Sequence, residues 1–348
     1  MINQAQGNLL RAPVEALVNT VNTEGVMGKG IALQFKNAYP EMFKSYSHAS
    51  KGGEVKLGSM HVWPTNTLSG PKYVINFPTK GHWRAKSRMR DIESGLKDLV
   101  RVVRDLGISS IAIPPLGCGN GGLDWREVEP RIRTAFDNLP EVDVLIFAPE
   151  GAPAASNMVV NTTKPAISPG RAALVGMVAR YTRQALNAPS LIETQKLMYF
   201  LQLAGEPLRL NFEANRYGPY ADNLRHVLAK VEGHLLTGYG DGSSKVLSAA
   251  PLSVVAGAVE DADRVLDKNP ETKTRMQCVL DLAAGYESAY GLELLATVHW
   301  VVSHNQDELT KDVIAQHVAD WSERKAGMFT AAHVDRALSE LREHGWVA

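Results

Sequence analysis

The sequence has two cysteines in 348 residues, no net charge and no long hydrophobic run. Cys118 and Cys278 lie far apart without the spacing of a metal-ligand set, which excludes a disulfide framework and points to reduced thiols. The longest apolar candidate, "LLATVHWVV", is about half of the ~18 to 20 residues that a bilayer-spanning helix needs. The start, "MINQAQGN", lacks the basic and apolar regions of a secretory leader. These absences predict a cytoplasmic protein with no membrane partner. His299 and His304 fall on one helical run, but a spacing of five makes them diverge, so neither a metal nor another cofactor is indicated. Residues 1–150 carry 18 Lys and Arg against 15 Asp and Glu. That surplus is too small for sequence-independent DNA binding on net charge, and any nucleic-acid contact has to be local.

What is present is ordinary globular material, 45% apolar and 21% charged, of a length that suggests two domains. In the first 150 residues "VEALVNTVN", "SMHVWP", "KYVINFP", "SSIAIPPL" and "VDVLIFAP" read as strands, and 30–38, 87–106 and 125–137 as helices. The alternation predicts an α/β domain with a mixed sheet covered by helices on both faces, spanning 1–155. Residues 156–172, rich in Ala, Pro, Ser, Asn and Thr, read as a linker.

From 173 to 348 the periodicity is helical, predicting an all-α domain with at most a short strand pair around Leu208–Tyr217. Ser190 with Glu193 has capping-box spacing, and Gly205 is placed to end that helix. Further helices are predicted over 220–231, with Pro219 starting it, and over 252–267, 273–284, 287–302, 308–323 and 331–344.

Two glycine-rich loops follow predicted strands. "NTEGVMGKGIALQF" fits neither familiar phosphate motif: the dinucleotide fingerprint needs a glycine where Leu33 stands, and the P-loop needs Ser or Thr at Gly30. The physics of glycines before a helix remains, since exposed backbone N–H groups at a helix N-terminus favour an anion. The second loop, "GCGNGGLDW", leads into a helix with Asp124 and Glu127 at capping-box spacing. Two such loops at strand ends can close on a diphosphate from both sides.

"GNLLRAPVEALVNTVNTEGVMGKGIALQFK", "VINFPTKGHWR" and "IAIPPLGCGNGGLDW" resemble the signature blocks of the macrodomain superfamily, and in particular its lysine-using branch, which includes terminal ADP-ribose glycohydrolases and the DarG antitoxins of DarT/DarG systems. The resemblance implies a three-layer α/β/α fold with ADP-ribose across the C-terminal ends of the strands. It implies that Asn8, where relatives often have Asp, meets the adenine with Leu9, giving a softer adenine preference. Asn22 would hold the distal ribose, Gly28, Lys29, Gly30 and Ile31 would form the first phosphate loop, and Gly117, Cys118, Gly119, Asn120 and Gly121 the second, with Asn19, Thr79 and Pro115 lining the cleft. As a nucleophile Cys118 has no evident His or Asp partner and reads as a small buried thiol.

Lys80 follows "KYVINFPT" directly and matches the catalytic lysine of the branch, which implies an amine that attacks the anomeric carbon. A role in polarising the leaving group or positioning the ribose stays open. Relatives carry an acid inside the second loop, where this chain has Gly121, so a paired Lys/Asp mechanism is not implied here.

After Lys80 runs "GHWRAKSRMR", in which His82 and Trp83 interleave with Arg84, Lys86, Arg88 and Arg90. Bases around an aromatic suit a single-stranded backbone with a stacked base, or simply the solvated first turn of a helix. The resemblance implies the former, with His82, Trp83, Arg84 and Arg88 as DNA contacts, ADP-ribosylated single-stranded DNA as substrate, ADP-ribose as product and the DarT toxin as partner. "QKLMYF" and "RYGPY" resemble a helical domain of SocA-like antitoxins, which implies that 173–348 binds the toxin; Glu260, Asp261 and Asp263 would suit a basic partner. Two other functions remain compatible with the residues: a reader that binds ADP-ribose without turnover, and a hydrolase of protein-linked ADP-ribose.

Overall fold

A computed structural model describes residues 1–305 and 309–347. The chain divides into two compact units, Met1–Thr163 with Gly240–Ser243, and Lys164–Tyr239 with Ser244–Ala348. The first contains β1 (Ile2–Ala5), β2 (Ala16–Asn22), α1 (Ile31–Ala38), α2 (Pro40–Lys51), β3 (His61–Pro64), β4 (Tyr73–Lys80), α3 (Met89–Asp105), β5 (Ser110–Ile113), α4 (Trp125–Phe136) and β6 (Asp143–Phe147). The strands form one sheet in the order β1-β6-β5-β2-β4-β3, parallel except for the antiparallel edge strand β3.

Alternation along the strands explains the three layers. Ala16, Val18, Ile75, Phe77, Ile111, Ile113, Val144 and Ile146 pack against α3 and α4, whereas Leu17, Val21, Val74, Ala112 and Phe147 pack against α1 and α2. The expected mixed α/β sandwich is therefore what forms. Two of its elements were not among the sequence expectations. β1, "INQA", is a mostly polar edge strand paired on one side only, so it has no hydrophobic signature. α2 has its signal in Pro40 at the first turn and in Met42, Tyr46 and Ala49 at helical spacing.

The second unit, taken by itself, comprises α5 (Pro169–Ala185), α6 (Leu191–Leu203), a strand pair β7 (Phe212–Glu213) and β8 (Tyr220–Ala221), α7 (Leu224–Val231), a second pair β9 (Leu236–Thr237) and β10 (Ser253–Val254), then α8 (Ala258–Asp267), α9 (Pro270–Ala283), α10 (Ala289–Ser303), α11 (Lys311–Asp320), α12 (Glu323–Met328) and α13 (Ala331–Glu343). The Ser190/Glu193 capping box forms as expected. Pro219 does not start a helix: it precedes β8, and α7 begins only after Asn223. The helix expected over 308–323 is shorter, capped by Thr310, and its position 308 lies outside the described residues. No helix among the described residues is long and apolar enough to cross a membrane.

The two pieces "QKLMYF" and "RYGPY" are bonded to each other. The Gln195 side chain exchanges two hydrogen bonds with the backbone of Ala221, both 3.1 Å, and the buried Lys196 amine donates to Pro219 O at 2.5 Å. Beside them, buried Glu293 accepts from Lys325 (2.5 Å) and from both ends of the Arg324 guanidinium (2.6 and 3.1 Å). Burial alone would push Glu293 up, but these donors hold it below the usual glutamate range. The segment is thus fixed by buried, satisfied polar groups.

Gly95 in α3 marks where helix and sheet are closest: a Cβ there would stand 2.2 Å from Phe77 Cζ. In an open helix Gly→Ala gains roughly 1 kcal/mol. Here we expect the opposite sign, with Gly95→Ala destabilising the first unit by about 1–3 kcal/mol through overpacking. A lower denaturant midpoint for that unit's transition is the readout.

Candidate active site

The C-terminal ends of the parallel strands β2, β4, β5 and β6 share one sheet edge, and both glycine loops leave from it, one after β2 and one after the neighbouring β5. This is the position where open α/β sheets receive ligands. The pairing of β2 with β4 shifts register at its end: Val21 pairs with Pro78, and Asn22 with Lys80. Thr79 is passed over and turned inward, buried, its hydroxyl donating to Val21 O at 3.3 Å. The bulge thereby sets Lys80 opposite Asn22.

Asn22 organises the first loop. Its Oδ1 accepts from the N–H groups of Glu24 and Val26, its Nδ2 donates to Val26 O at 2.6 Å, and its own carbonyl accepts from the buried Tyr46 hydroxyl at 2.5 Å. The loop runs through exposed Gly28 and Lys29 to buried Gly30, the residue before α1, whose first residue Ile31 is half-buried. The Gly30 N–H donates to Asp241 O (2.9 Å), and the Asp241 carboxylate accepts from buried Gln34 (2.6 Å). Asp241 belongs to the tetrapeptide 240–243, which clusters with the first unit, and a contact across two hundred residues leaves no local signal in the sequence.

In the second loop, Pro115 and Cys118 are half-buried, Gly117 and Gly121 buried, and Gly119 and Asn120 exposed. The loops approach each other: a Cβ on Gly30 would lie 3.6 Å from Asn120 Nδ2. Burial pushes the Cys118 thiol up to about 11, leaving it protonated and inert at neutral pH. Asp124 caps α4 by accepting from Arg126 N–H (2.9 Å) rather than through a box with Glu127.

Gly121 is fixed by its surroundings. A Cβ there would stand 2.3 Å from both Gly117 O and Ser87 Oγ, so no side chain, acidic or otherwise, fits at this position.

Asn8 and Leu9 open a single 3-10 turn. The Asn8 oxygen accepts from Leu10 N–H (3.0 Å), its Nδ2 donates to Asn157 O (3.0 Å), and Leu9 is buried in the core beside α1 and α2. Asn19 is not brought to the edge with the others: it is fully buried in the sheet, donating to Asn76 Oδ1 at 2.8 Å.

Lys80 is half-buried, and among the described residues its amine makes no hydrogen bond or ion pair. Burial, and after it the charge of Lys86, lower its proton affinity. Beyond it the Trp83 ring stacks with His82 (centroids 5.4 Å apart) and carries the Arg84 guanidinium 4.4 Å away, while Arg88 is exposed just before α3. His82 also reaches Glu24 at 3.5 Å, so the connection after β4 meets the first loop. No group of His, Cys, Asp and Glu among the described residues is arranged to hold a metal ion.

The three-layer sheet with paired glycine loops is that of a macrodomain, and a Macro domain family model matches residues 18–132. A curated DNA ADP-ribosyl glycohydrolase of Thermus aquaticus is 44% identical over 348 residues, covering 99% of this chain and 94% of that protein. The chain therefore belongs to the family of DarG DNA ADP-ribosyl glycohydrolases. A DNA ADP-ribosyl transferase-DNA ADP-ribosyl glycohydrolase fusion protein of Thermosipho africanus is 32% identical over 42% of each chain. Among solved structures, the macrodomain of Mycobacterium tuberculosis DarG is 61% identical over 43% of this chain and 99% of its own, with a TM-score of 0.43.

Replacing Gly121 with alanine is expected to dislodge the second loop. Amide exchange at Ser87 and Leu123, whose N–H groups bond Gly121 O and Gly117 O at 3.0 and 3.1 Å, should accelerate, while exchange in the sheet core stays slow.

Proposed function

We propose that this protein removes ADP-ribose from thymine bases of single-stranded DNA, with Lys80 as the catalytic residue and the substrate diphosphate between the two glycine loops. The observation that carries the reading is the unengaged Lys80 amine, set opposite Asn22 at the strand ends where both loops begin. The near full-length similarity to a DNA ADP-ribosyl glycohydrolase supports the substrate class. In this reading Asn8 and Leu9 meet the adenine, Asn22 holds the distal ribose by shaping its loop, and Gly28–Ile31 and Gly117–Gly121 supply N–H donors to the diphosphate.

Lys80 acts as the neutral amine. A bond forms from its Nζ to the anomeric carbon as the bond from that carbon to the thymine nitrogen breaks. The Lys80 nitrogen, positively charged once the bond has formed, gives up a proton to the displaced thymine nitrogen, the glycosylamine opens to a Schiff base, and water hydrolyses that to free ADP-ribose and the amine. A purely electrostatic Lys80 would leave no adduct to trap by reduction with borohydride, which separates the two roles. Lys80→Ala should lower ADP-ribose release from a thymine-ADP-ribosylated oligonucleotide by roughly 10²-fold or more while ADP-ribose binding persists. The lack of room for an acid at Gly121 favours one rival, a reader without turnover. Binding with no release by the wild-type chain would establish that rival, and release only from ADP-ribosylated peptides would redirect the substrate to protein.

Trp83, flanked by His82 and Arg84, offers a stacking surface with adjacent charge for a base next to the modified one. Trp83→Ala should weaken oligonucleotide binding by roughly 5- to 150-fold, the equivalent of about 1–3 kcal/mol for one stacked base, and leave binding of free ADP-ribose unchanged. Fluorescence anisotropy with the oligonucleotide and calorimetry with ADP-ribose read the two effects.

The second unit is assigned to binding the DarT toxin. Although it matches 42% of this chain and does not bear on which unit binds, the Thermosipho fusion, which joins a transferase and a glycohydrolase in one chain, supports a transferase as partner. The acidic cluster does not: Asp261 is bound by Lys164 at 2.5 Å and by Arg264, and Asp263 by Arg180 at 2.9 Å, so little free negative charge remains there. Retention of the toxin by the full chain carrying Lys80→Ala tests for sequestration apart from catalysis.

A further inference from the structure

The first glycine loop ends at Gly30, which enters α1 with a φ of 65° and leaves that helix without a side-chain cap. Its place is fixed from elsewhere in the first unit. Besides the bond from Gly30 N–H to Asp241 O, the Asp241 carboxylate, 4% exposed, accepts from Gln34, the fourth residue of α1, and from Ser243 N–H at 2.9 Å. Gly240, just before it, rests against the segment that follows β6: a Cβ there would lie 3.2 Å from Met158 Cε and 3.8 Å from Ala155 Cβ. That segment falls largely within the stretch whose composition reads as a linker, yet it is fastened along its length. Asn157 O accepts from Asn8 Nδ2, Val159 packs on the core beside α1 and α2, and Asn161 donates to Asn37 O and Ala38 O at the end of α1, both at 2.8 Å. Contacts therefore run without a break from Asn8 through residues 155–158 and Gly240–Asp241 to Gly30.

We propose that Asp241 is a positioning residue of the nucleotide site: it holds the end of the first glycine loop and, through Gly240 and residues 155–158, ties that loop to Asn8. This rests on the reading of Asn8 and the first loop as adenine and phosphate contacts. Of the four N–H groups at the head of α1, that of Gly30 is engaged by Asp241 O and that of Leu33 by Gly30 O at 2.9 Å; those of Ile31 and Ala32 make no hydrogen bond among the described residues. A diphosphate meets those two donors in a fixed place only if the turn before them is held, and Asp241 holds it. The Asn8 amide is set by the same bracket. Its Nδ2 is taken by Asn157 O and its oxygen accepts from Leu10 N–H, which leaves the second lone pair of that oxygen for an adenine amino group. Adenine and diphosphate are joined by a single ribose, so a bracket that holds both contacts sets the spacing the ligand must match.

The anchor can be broken and restored by reversing one hydrogen bond. Gln34→Glu sets a second carboxylate against that of Asp241, which removes the donor and adds like-charge repulsion; adding Asp241→Asn returns a donor to face the new carboxylate. In the full chain, Gln34→Glu is expected to speed amide exchange at Gly30 and Ser243, while exchange in the sheet core stays slow and so separates loosening from unfolding. Calorimetry with ADP-ribose should show binding weakened roughly 10-fold, the equivalent of one charge-assisted hydrogen bond out of place. KM for the ADP-ribosylated oligonucleotide should rise with kcat unchanged, because the bracket includes neither Lys80 nor Asn22. The pair Gln34→Glu with Asp241→Asn should recover the exchange and the affinity of the wild type. Wild-type affinity in Gln34→Glu, or a loss that the pair does not reverse, overturns the proposal, as does a fall in kcat with KM unmoved. If the wild type binds no ADP-ribose while exchange at Gly30 rises and recovers as described, the anchor stands and the nucleotide reading fails.

Discussion

The passing over of Thr79 in the pairing of β2 with β4 is the constraint on which the site depends. Along a regular parallel pair the side chains of neighbouring strands stay in phase, and a residue after Pro78 opposite Asn22 would be Thr79. The bulge buries that threonine with its hydroxyl on Val21 O and advances Lys80 by one position. The strand then ends with a lysine facing the asparagine that organises the first glycine loop. Lys80 is half-buried there, and that burial lowers its proton affinity.

A second constraint comes from how closely two backbone segments, the one carrying Ser87 and the loop from Gly117 to Gly122, meet. Ser87, Gly117 and Gly121 share a space with no room for a further side chain, so the loop can present N–H groups but no acid from Gly121. In the proposed reading that leaves the chemistry to Lys80 with backbone donors of the loops. It also explains why the connection after β4 matters as much as the strand itself: one hydrogen bond at Ser87 couples the segment that carries Lys86 to the loop that would hold phosphate.

Much of this was legible because it is local. Alternating apolar residues gave five of the six strands of the sheet, glycines before helices gave both loops, and the position of Lys80 directly after a strand gave the candidate amine. Long-range pairings were not legible. Nothing near Gly30 announces that its N–H will meet Asp241, and nothing in "AKSRM" announces that Ser87 will settle against Gly121. Asn19 shows the converse limit: the resemblance places it in the cleft, yet strand phase turns it into the sheet, where its Nδ2 donates to Asn76. The Pro219 expectation failed for a similar reason, because buried Gln195 holds the backbone at Ala221 and Lys196 that at Pro219, leaving the helix to start at Leu224.

The distribution of charge then accounts for how a nearly neutral unit can meet an anionic polymer. Some of its bases are matched: Arg101 is bound by Asp98 and Asp105, Arg131 by Glu93, Arg133 by Glu129 and Arg126 by Asp124. Along the connection from Lys80 to α3 they are not, since Arg84, Lys86 and Arg88 engage no carboxylate among the described residues. Each neutralised phosphate of a single strand contributes about 0.7 to the dependence of log affinity on log salt. A cluster of this size therefore gives a contact confined to a few phosphates and a shallow salt dependence. In the proposed reading these unpaired bases follow Lys80 in the chain, so that electrostatic attraction would act on the nucleic acid close to the amine.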